Sequence, residues 1–511
     1  MKSGSSSRIV KNTAILYVRM FLTMAVSLYT VRVVLRVLTE VDYGIFSAVG
    51  GILAAFAVVT KTLTNASQRF FSYGIGKGES EDSTSSLFST IFYIYAILAI
   101  FVVVLTETVG VWFLQNKMTI PVGRESAAMW VLQFALLSFI ISLLSNPFQA
   151  MIIAKERMDI YAFVSISNAV FNLLIVYFLT VVDFDQLKLY AVLVTVVHIC
   201  INIAYVVICR KIAASETKLV MSVNFDRLKS VFSYSLWSFF GALAGICNSQ
   251  GINIVLNLFF GPIANAAYSI SRQVSNAVIS FAGNFTMAIR PPMIKNYASK
   301  DYDGVTKLFN IETKVTFLLM YMLILPIFIN APEILGIWLG QVGDYMVDFV
   351  RLTLVYSLIV TMSNPITDIA QAAARVKIYH GVVDGFTLLS LPITIVLYKL
   401  GQPINCCYLV IIATFSIAHV IRLFILKRIF PPFSIRDYVK KIISPILLTT
   451  FSSAAIMVCV RGALGDSFFD TMICCASALS IVILFCLFFL FGKSERQYIY
   501  GVIRTKFSRN E

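Results

Sequence analysis

The chain has 511 residues, 59% of them hydrophobic and 13% charged, with a formal net charge of +15. Soluble domains average about 25% charged residues, so the composition excludes a soluble enzyme or binding module and describes a polytopic membrane protein. A basic excess also invites a nucleic-acid reading, which the placement of the charges excludes.

The opening residues (MKSGSSSRIVKN) are polar and basic, and no small-residue cleavage site follows the first apolar run. The first helix is therefore expected to be retained rather than removed as a signal. Apolar runs long enough to cross about 30 Å of hydrocarbon fall at 12–37, 42–66, 87–109, 127–149, 160–182, 188–209, 229–258, 263–289, 311–331, 346–371, 378–399, 404–426, 441–461 and 469–492. The expected fold class is an all-α polytopic membrane protein of about fourteen transmembrane helices. With both termini in the cytoplasm, and seven cations near span ends counted with the segments they adjoin, the cytoplasmic segments hold 29 Lys or Arg and the external segments six, leaving six assigned to the spans. That asymmetry follows the positive-inside rule. The net charge thus reflects orientation, and no nucleic-acid partner is expected.

The chain repeats itself. Ser145-Asn146-Pro147 and Ser363-Asn364-Pro365 are 218 residues apart, and so are Tyr161 and Tyr379, and Tyr190 and Tyr408. Arg210-Lys211-Ile212 is echoed by Lys427-Arg428-Ile429 at an offset of 217. This spacing predicts an N-lobe of helices 1–6 (1–215), a C-lobe of helices 7–12 (216–432), helices 13 and 14 (433–492) and a cytoplasmic tail (493–511). Six helices per copy is an even number, so the copies are parallel repeats. Repeats of this kind commonly flank a substrate site and rock about it.

Six cations are assigned to the spans: Arg19, Arg32, Arg36, Lys61, Arg272 and Arg422. Each costs about 2.5–3.5 kcal/mol in hydrocarbon, so each must snorkel to an interface or face a wet cavity. Arg32 and Arg36 cluster with Tyr29 near the outer end of helix 1 and read as interface anchors. Arg19 shares its face with Asn12, Thr23, Ser27 and Thr30, and either a cavity or the inner interface accounts for it. Lys61 shares a face with Ser47, Gly50, Ala54, Ala57, Asn65 and Gln68, a pattern that suits a cavity or close helix packing equally. Helix 8 is clearest: Asn265, Ser269, Arg272, Asn276 and Ser280 form one stripe, with Arg272 near the midplane, too deep to snorkel easily. Helix 7 adds Ser249, Gln250, Asn253 and Asn257 without charge. The substrate-binding candidates are therefore Arg19, Lys61, Arg272, Asn65, Asn253, Asn257 and Asn276. A cavity lined by fixed positive charge and amides suits an anionic, hydroxyl-rich cargo.

Other groups are weaker candidates. Asp384 in helix 11 and His198 in helix 6 are candidate coupling residues, against hydrogen-bonded structural roles; Glu107 reads as interfacial. Gly74, Gly76, Lys77 and Gly78 do not match a phosphate loop in spacing or context. With no ATPase domain the chain is expected not to be an enzyme. Nine scattered Cys without a CxxC pair indicate neither a disulfide scaffold nor a metal site, and no cofactor is expected.

Residues 12–51, above all LTEVDYGIF at 38–46, together with Ser67-Gln68-Arg69-Phe70, resemble the start of bacterial Wzx-type O-antigen and oligosaccharide flippases. These belong to the multidrug/oligosaccharidyl-lipid/polysaccharide (MOP) exporter superfamily. Thr39 with Asp42 three residues on also works locally, as a near capping box. The resemblance implies two lobes, a central cavity lined by helices 1, 2, 7 and 8, and alternating access. It implies an undecaprenyl-pyrophosphate-linked oligosaccharide as cargo, membrane lipid as surroundings, and a polymerase and glycosyltransferases of the same pathway as candidate partners. Two rivals remain open. A drug/cation antiporter of the same superfamily normally needs buried carboxylates in helix 1 or 7, and neither helix has one. An integral-membrane polymerase or ligase normally works from a large external loop, whereas the external connections here are short.

Overall fold

The structure, a computed structural model, describes residues 3–116, 120–121, 123–179, 184–220, 225–339, 342–465 and 467–492. Some side chains within 3–57, among them Arg32 and Arg36, and those of Arg227, Asn257 and Pro262, lie outside the described residues. Among the described residues every regular element is helical, because in hydrocarbon the backbone must satisfy its own hydrogen bonds. In order these are α1 (Ser3–Lys77), α2 (Glu81–Leu105), α3 (Val111–Asn116), α4 (Glu125–Ala154), α5 (Met158–Leu179), α6 (Gln186–Ile212), α7 (Phe225–Ala298), α8 (Tyr302–Ile329) and α9 (Ala331–Leu339). There follow α10 (Met346–Met362), α11 (Asn364–Ala372), α12 (Val376–Tyr379), α13 (Gly385–Thr387), α14 (Ser390–Lys399), α15 (Cys406–Ile429), α16 (Ile435–Tyr438), α17 (Ser444–Ala463) and α18 (Phe468–Phe485).

Two compact units result: residues 1–242 with 290–300, and residues 243–289 with 301–511. In the first unit α1 packs against α4 and α5, and α4 against α6. Phe71, Phe88, Ile91, Tyr95, Leu143 and Met151 are buried together at the centre. In the second unit α10 packs on α8 and α15, around Phe349, Tyr408 and Leu354.

α1 is helical from Ser3 to Lys77, yet it cannot be one straight rod. The Asn12 Nδ2 donates to the Glu156 carbonyl at 3.1 Å, and the Glu156 carboxylate pairs with Lys295 at 2.7 Å. Near the other end of α1, a Cβ placed on Gly76 would lie 2.5 Å from the Lys295 Cα. A straight helix would hold residues 12 and 76 about 96 Å apart. The chain must double back, and Asp42 shows where: it binds Arg124 at 2.5 Å, beside the start of α4, whereas Glu156 follows its end. α7 folds back likewise. Gly261 takes φ 77°, ψ −168°, and across it Asn265 Nδ2 donates to the Asn253 carbonyl and Oδ1 at 2.8 and 2.6 Å, and the Tyr268 hydroxyl donates to the Ser249 carbonyl at 3.2 Å. Only glycine adopts such a backbone without strain.

Twelve helical stretches among the described residues are long and apolar enough to cross a membrane. The two further predicted spans, 42–66 and 263–289, are the second arms of α1 and α7. Helical all the same, the latter is too polar to qualify, with Asn265, Arg272, Gln273, Asn276 and Asn284 in place of apolar residues.

Arg124 also binds Asp185 at 2.9 Å, joining the α1 turn to the start of α6. Asp42 is only 4% exposed, so Arg124→Ala removes a charged donor from a desolvated carboxylate. The expected loss is about 1–3 kcal/mol, read as a lower melting temperature in detergent, whereas Arg157→Ala, on an exposed pair with Asp159, is expected to cost under about 1 kcal/mol.

The two Ser-Asn-Pro copies behave differently. Pro147 lies inside an unbroken α4. At the second copy the helix ends at Met362 and restarts at Asn364, with Pro365 in its first turn. That is where proline fits a helix best, since its missing N–H is not needed there.

Candidate functional site

The second arm of α7 places Arg272. Ser271 and Ser275, fully buried, hold one face of the arm in the core through the Tyr408 hydroxyl at 2.5 Å and the Ser357 hydroxyl at 2.7 Å. The opposite face carries the predicted stripe, and Ser269, Asn276 and Ser280 on it are exposed. Arg272 is half-buried between these faces and lines a cavity of about 50 Å³ with Asn248, Ser249, Tyr268, Tyr356 and Tyr408. Its guanidinium interacts with the Tyr356 and Tyr268 side chains, and among the described residues no carboxylate pairs with it. The cavity therefore offers a cation, tyrosine hydroxyls and an amide, a set that complements phosphate oxygens.

Of the other predicted residues in this unit, Asn253 is used by Asn265 inside the α7 hairpin, Asn276 lies along the exposed stripe outside the cavity, and Asn257 lies outside the described residues. Sequence reasoning missed Asn248, Tyr268 and Tyr356, which come from the first arm, the second arm and α10. Asn248 is buried and donates to the Thr387 carbonyl at 3.1 Å. The close packing of α7 on α14 at Gly251, where a Cβ would lie 2.6 Å from the Leu391 side chain, holds it there.

In the first unit Arg19 is half-buried, with its guanidinium over the Tyr161 ring, 4.9 Å from the centroid. The hydroxyls that share its stripe are partly satisfied locally: Thr23 donates to the Arg19 carbonyl and Thr30 to the Val26 carbonyl, both at 2.8 Å. Lys61 is exposed and Asn65 half-buried. Arg69, which the sequence marks only as part of a familiar tetrapeptide, is 5% exposed, 4.7 Å from the ring centroids of both Phe70 and Tyr73 and 5.6 Å from Tyr234. Burial pulls its guanidinium below the ordinary value, against the opposing influence of Tyr234, Tyr73 and Tyr297.

Tyr161 and Tyr379, 218 residues apart, each meet an arginine. Arg19 meets Tyr161, and Arg422 Nε donates to the Tyr379 hydroxyl at 3.0 Å. Arg422 is 6% exposed, and its Nη1 also donates to Ser363 at 3.3 Å. This sixth intramembrane cation is thus held inside the second unit by two markers of the repeat. Of the coupling candidates, His198 Nδ1 bonds the Ser138 hydroxyl at 2.6 Å, and Asp384 meets His380, which sequence reasoning had not singled out, at 2.6 Å.

No protein-family model matches the sequence, and no curated protein matches it. Solved structures do match. An outward-facing multidrug-resistance MATE transporter of the MOP superfamily superimposes with a TM-score of 0.71 at 11% identity, over 83% of this chain and 96% of that one. A MOP-superfamily transporter from Pyrococcus furiosus gives 0.68 at 12% identity over 83% and 96%. A Vibrio cholerae MATE transporter, VcmN, carrying an aspartate-to-asparagine substitution, gives 0.65 at 14% identity over 84% and 98%. At these identities the likeness establishes the fold: this chain has the all-helical, two-lobed architecture of MATE transporters.

Proposed function

We propose that the chain is a MOP-superfamily transporter that flips an undecaprenyl-pyrophosphate-linked oligosaccharide from the inner to the outer leaflet of the bacterial cytoplasmic membrane. The observation that carries this reading is Arg272: a cation on the second arm of α7, lining a small cavity with tyrosine hydroxyls and an amide, and with no carboxylate paired to it among the described residues. An unpaired ion in hydrocarbon costs tens of kcal/mol in the Born limit, so a pyrophosphate needs such groups along its route while the polyprenyl tail stays in lipid. With the inside negative, two negative charges moving outward gain about 4–5 kcal/mol per 100 mV.

The rival reading is a drug/cation antiporter of the same fold; against it stands the sequence, in which helix 1 and the first arm of α7 contain no Asp or Glu within 12–37 and 229–258. The P. furiosus transporter of this fold is described as having a binding pocket of reverse polarity that suggests a different function. The test is reconstitution of the purified chain in proteoliposomes holding a polyprenyl-pyrophosphate oligosaccharide, with lectin access on the far leaflet as readout. Far-leaflet glycan is the expected result; efflux of ethidium without glycan movement would favour the antiporter instead.

Orientation is testable separately. Reporter fusions after Asn510 are expected to be active only as cytoplasmic fusions, because the cytoplasmic segments hold 29 of the 41 Lys and Arg. Activity of an external reporter there would reverse the topology. A polymerase and glycosyltransferases of the same pathway are the partners this function calls for.

A further inference from the structure

The span from Val376 to Lys399 is not a regular helix: residues 380–384 form a π-turn. Such turns insert one residue into the helix, leave backbone groups less well paired and occur frequently at functional sites. His380 and Asp384 begin and end this one, with His380 Nδ1 2.6 Å from Asp384 Oδ2. His380 is 9% exposed, and its Nε2 is buried without a hydrogen-bond partner among the described residues. A buried polar atom with no partner is costly, and one next to a carboxylate inside a membrane span points to a ligand.

The pair is wired to the Arg272 cavity. One turn beyond Asp384, the Thr387 hydroxyl donates to the Asp384 carbonyl at 2.9 Å, and the Thr387 carbonyl accepts from Asn248 at 3.1 Å. Asn248 lines the cavity that holds Arg272. On the other side, the Tyr379 ring lies 5.3 Å from His380, and its hydroxyl takes the Arg422 donor. Charged and titratable groups on the elements around the pair include Arg422 and His419 on α15, Asp368 on α11, Tyr379 and Lys377 on α12, and Arg272 with Tyr268 on α7.

We infer that His380 and Asp384 form a proton-binding site whose occupancy is read by the Arg272 cavity through Thr387 and Asn248. The step is one proton onto the Nε2 lone pair, drawn from water on one side of the membrane. The pair passes from a net charge of −1, as neutral imidazole with carboxylate, to zero, as imidazolium with carboxylate. In the neutral state the Nδ1–H donates to Asp384, which orients the ring and leaves Nε2 as the acceptor. Loss of the negative charge removes an attraction on the nearby cations, and the loosely paired π-turn is the element that can shift with it. This rests on the transporter reading and adds a source of coupling energy to it.

The test needs no cargo. The chain has three histidines, 198, 380 and 419, so ¹⁵N-histidine labelling of the full-length protein in lipid nanodiscs gives few imidazole signals, assigned to His380 by their loss in His380→Gln. ¹⁵N-asparagine labelling reports Asn248, assigned by Asn248→Ala. Scanned over about pH 5 to 8, where imidazoles change charge, His380 is expected to titrate and the Asn248 amide to move with the same midpoint. In His380→Gln the Asn248 movement should vanish. A His380 signal that does not titrate, or an Asn248 amide indifferent to it, overturns the proposal, whatever the protein transports. In proteoliposomes a pH gradient should speed cargo movement severalfold in the wild type and not in His380→Gln. If the titrations behave as expected but no cargo moves, the flippase reading fails and the proton site stands.

Discussion

Arg272→Ala is expected to lower export of the lipid-linked glycan about 10- to 150-fold with the protein near its normal level, the span of a lost charged hydrogen bond worth about 1.5–3 kcal/mol. The protein level should hold because the side chain is half-buried, whereas Ser271 and Ser275 bind the other face of the arm to Tyr408 and Ser357. Arg272→Lys should recover part of the activity, since it keeps the charge and loses the planar fork that engages two phosphate oxygens at once. Tyr356→Phe removes a hydroxyl from the same cavity and should cost less, about 0.5–1.5 kcal/mol. Arg36→Ala should be milder still if Arg36 is an interface anchor that other groups can replace. Glycan at the cell surface, normalised to protein by immunoblot, is the measurement. An Arg36→Ala strain more impaired than Arg272→Ala would show that the cations had been sorted wrongly.

The second large effect is structural and concerns two glycines two residues apart. A Cβ on Gly76 would lie 2.5 Å from the Lys295 Cα, 2.6 Å from its carbonyl oxygen and 2.9 Å from its carbonyl carbon. These are backbone atoms at the end of α7, so no side chain can swing away. Gly76→Ala must push the α1 and α7 segments apart by about 1 Å, and overpacking of this sort costs about 1–3 kcal/mol, occasionally more. The displacement also strains the Lys295–Glu156 pair and, through the Glu156 carbonyl, the Asn12 contact. A Cβ on Gly74 would meet only the Glu79 carboxylate at 3.7 Å, ordinary contact, and alanine is the better helix former by about 1 kcal/mol. Gly74→Ala should therefore raise the melting temperature in detergent and Gly76→Ala lower it. Equal responses would mean that α1 and α7 are not in this close contact. The glycine-rich run that superficially suggests a phosphate loop has, at Gly76, a packing explanation.

Whatever depends on composition along one helix was legible in the sequence. Spanning runs and the period of polar residues identify an all-helical membrane protein and the polar second arms that bear Lys61 and Arg272. Each of these is a property of neighbours within a few turns, and a helix brings residues three and four apart onto one face whatever surrounds it. Partners were not legible. The Arg19 stripe looks the same in sequence whether its hydroxyls face water or their own helix, and only the structure shows Thr23 and Thr30 turned back to carbonyls four residues earlier. Arg422 finds Tyr379 and Ser363 from 43 and 59 residues away, and Asn248 reaches Thr387 across 139. His380 and Asp384 stand four residues apart and were within reach of sequence reasoning. Their spacing alone did not reveal that the helix widens between them or that the imidazole nitrogen is buried. Periodicity tells which face of a helix is polar; the packing of other helices against that face decides which polar groups are satisfied and which are left to act.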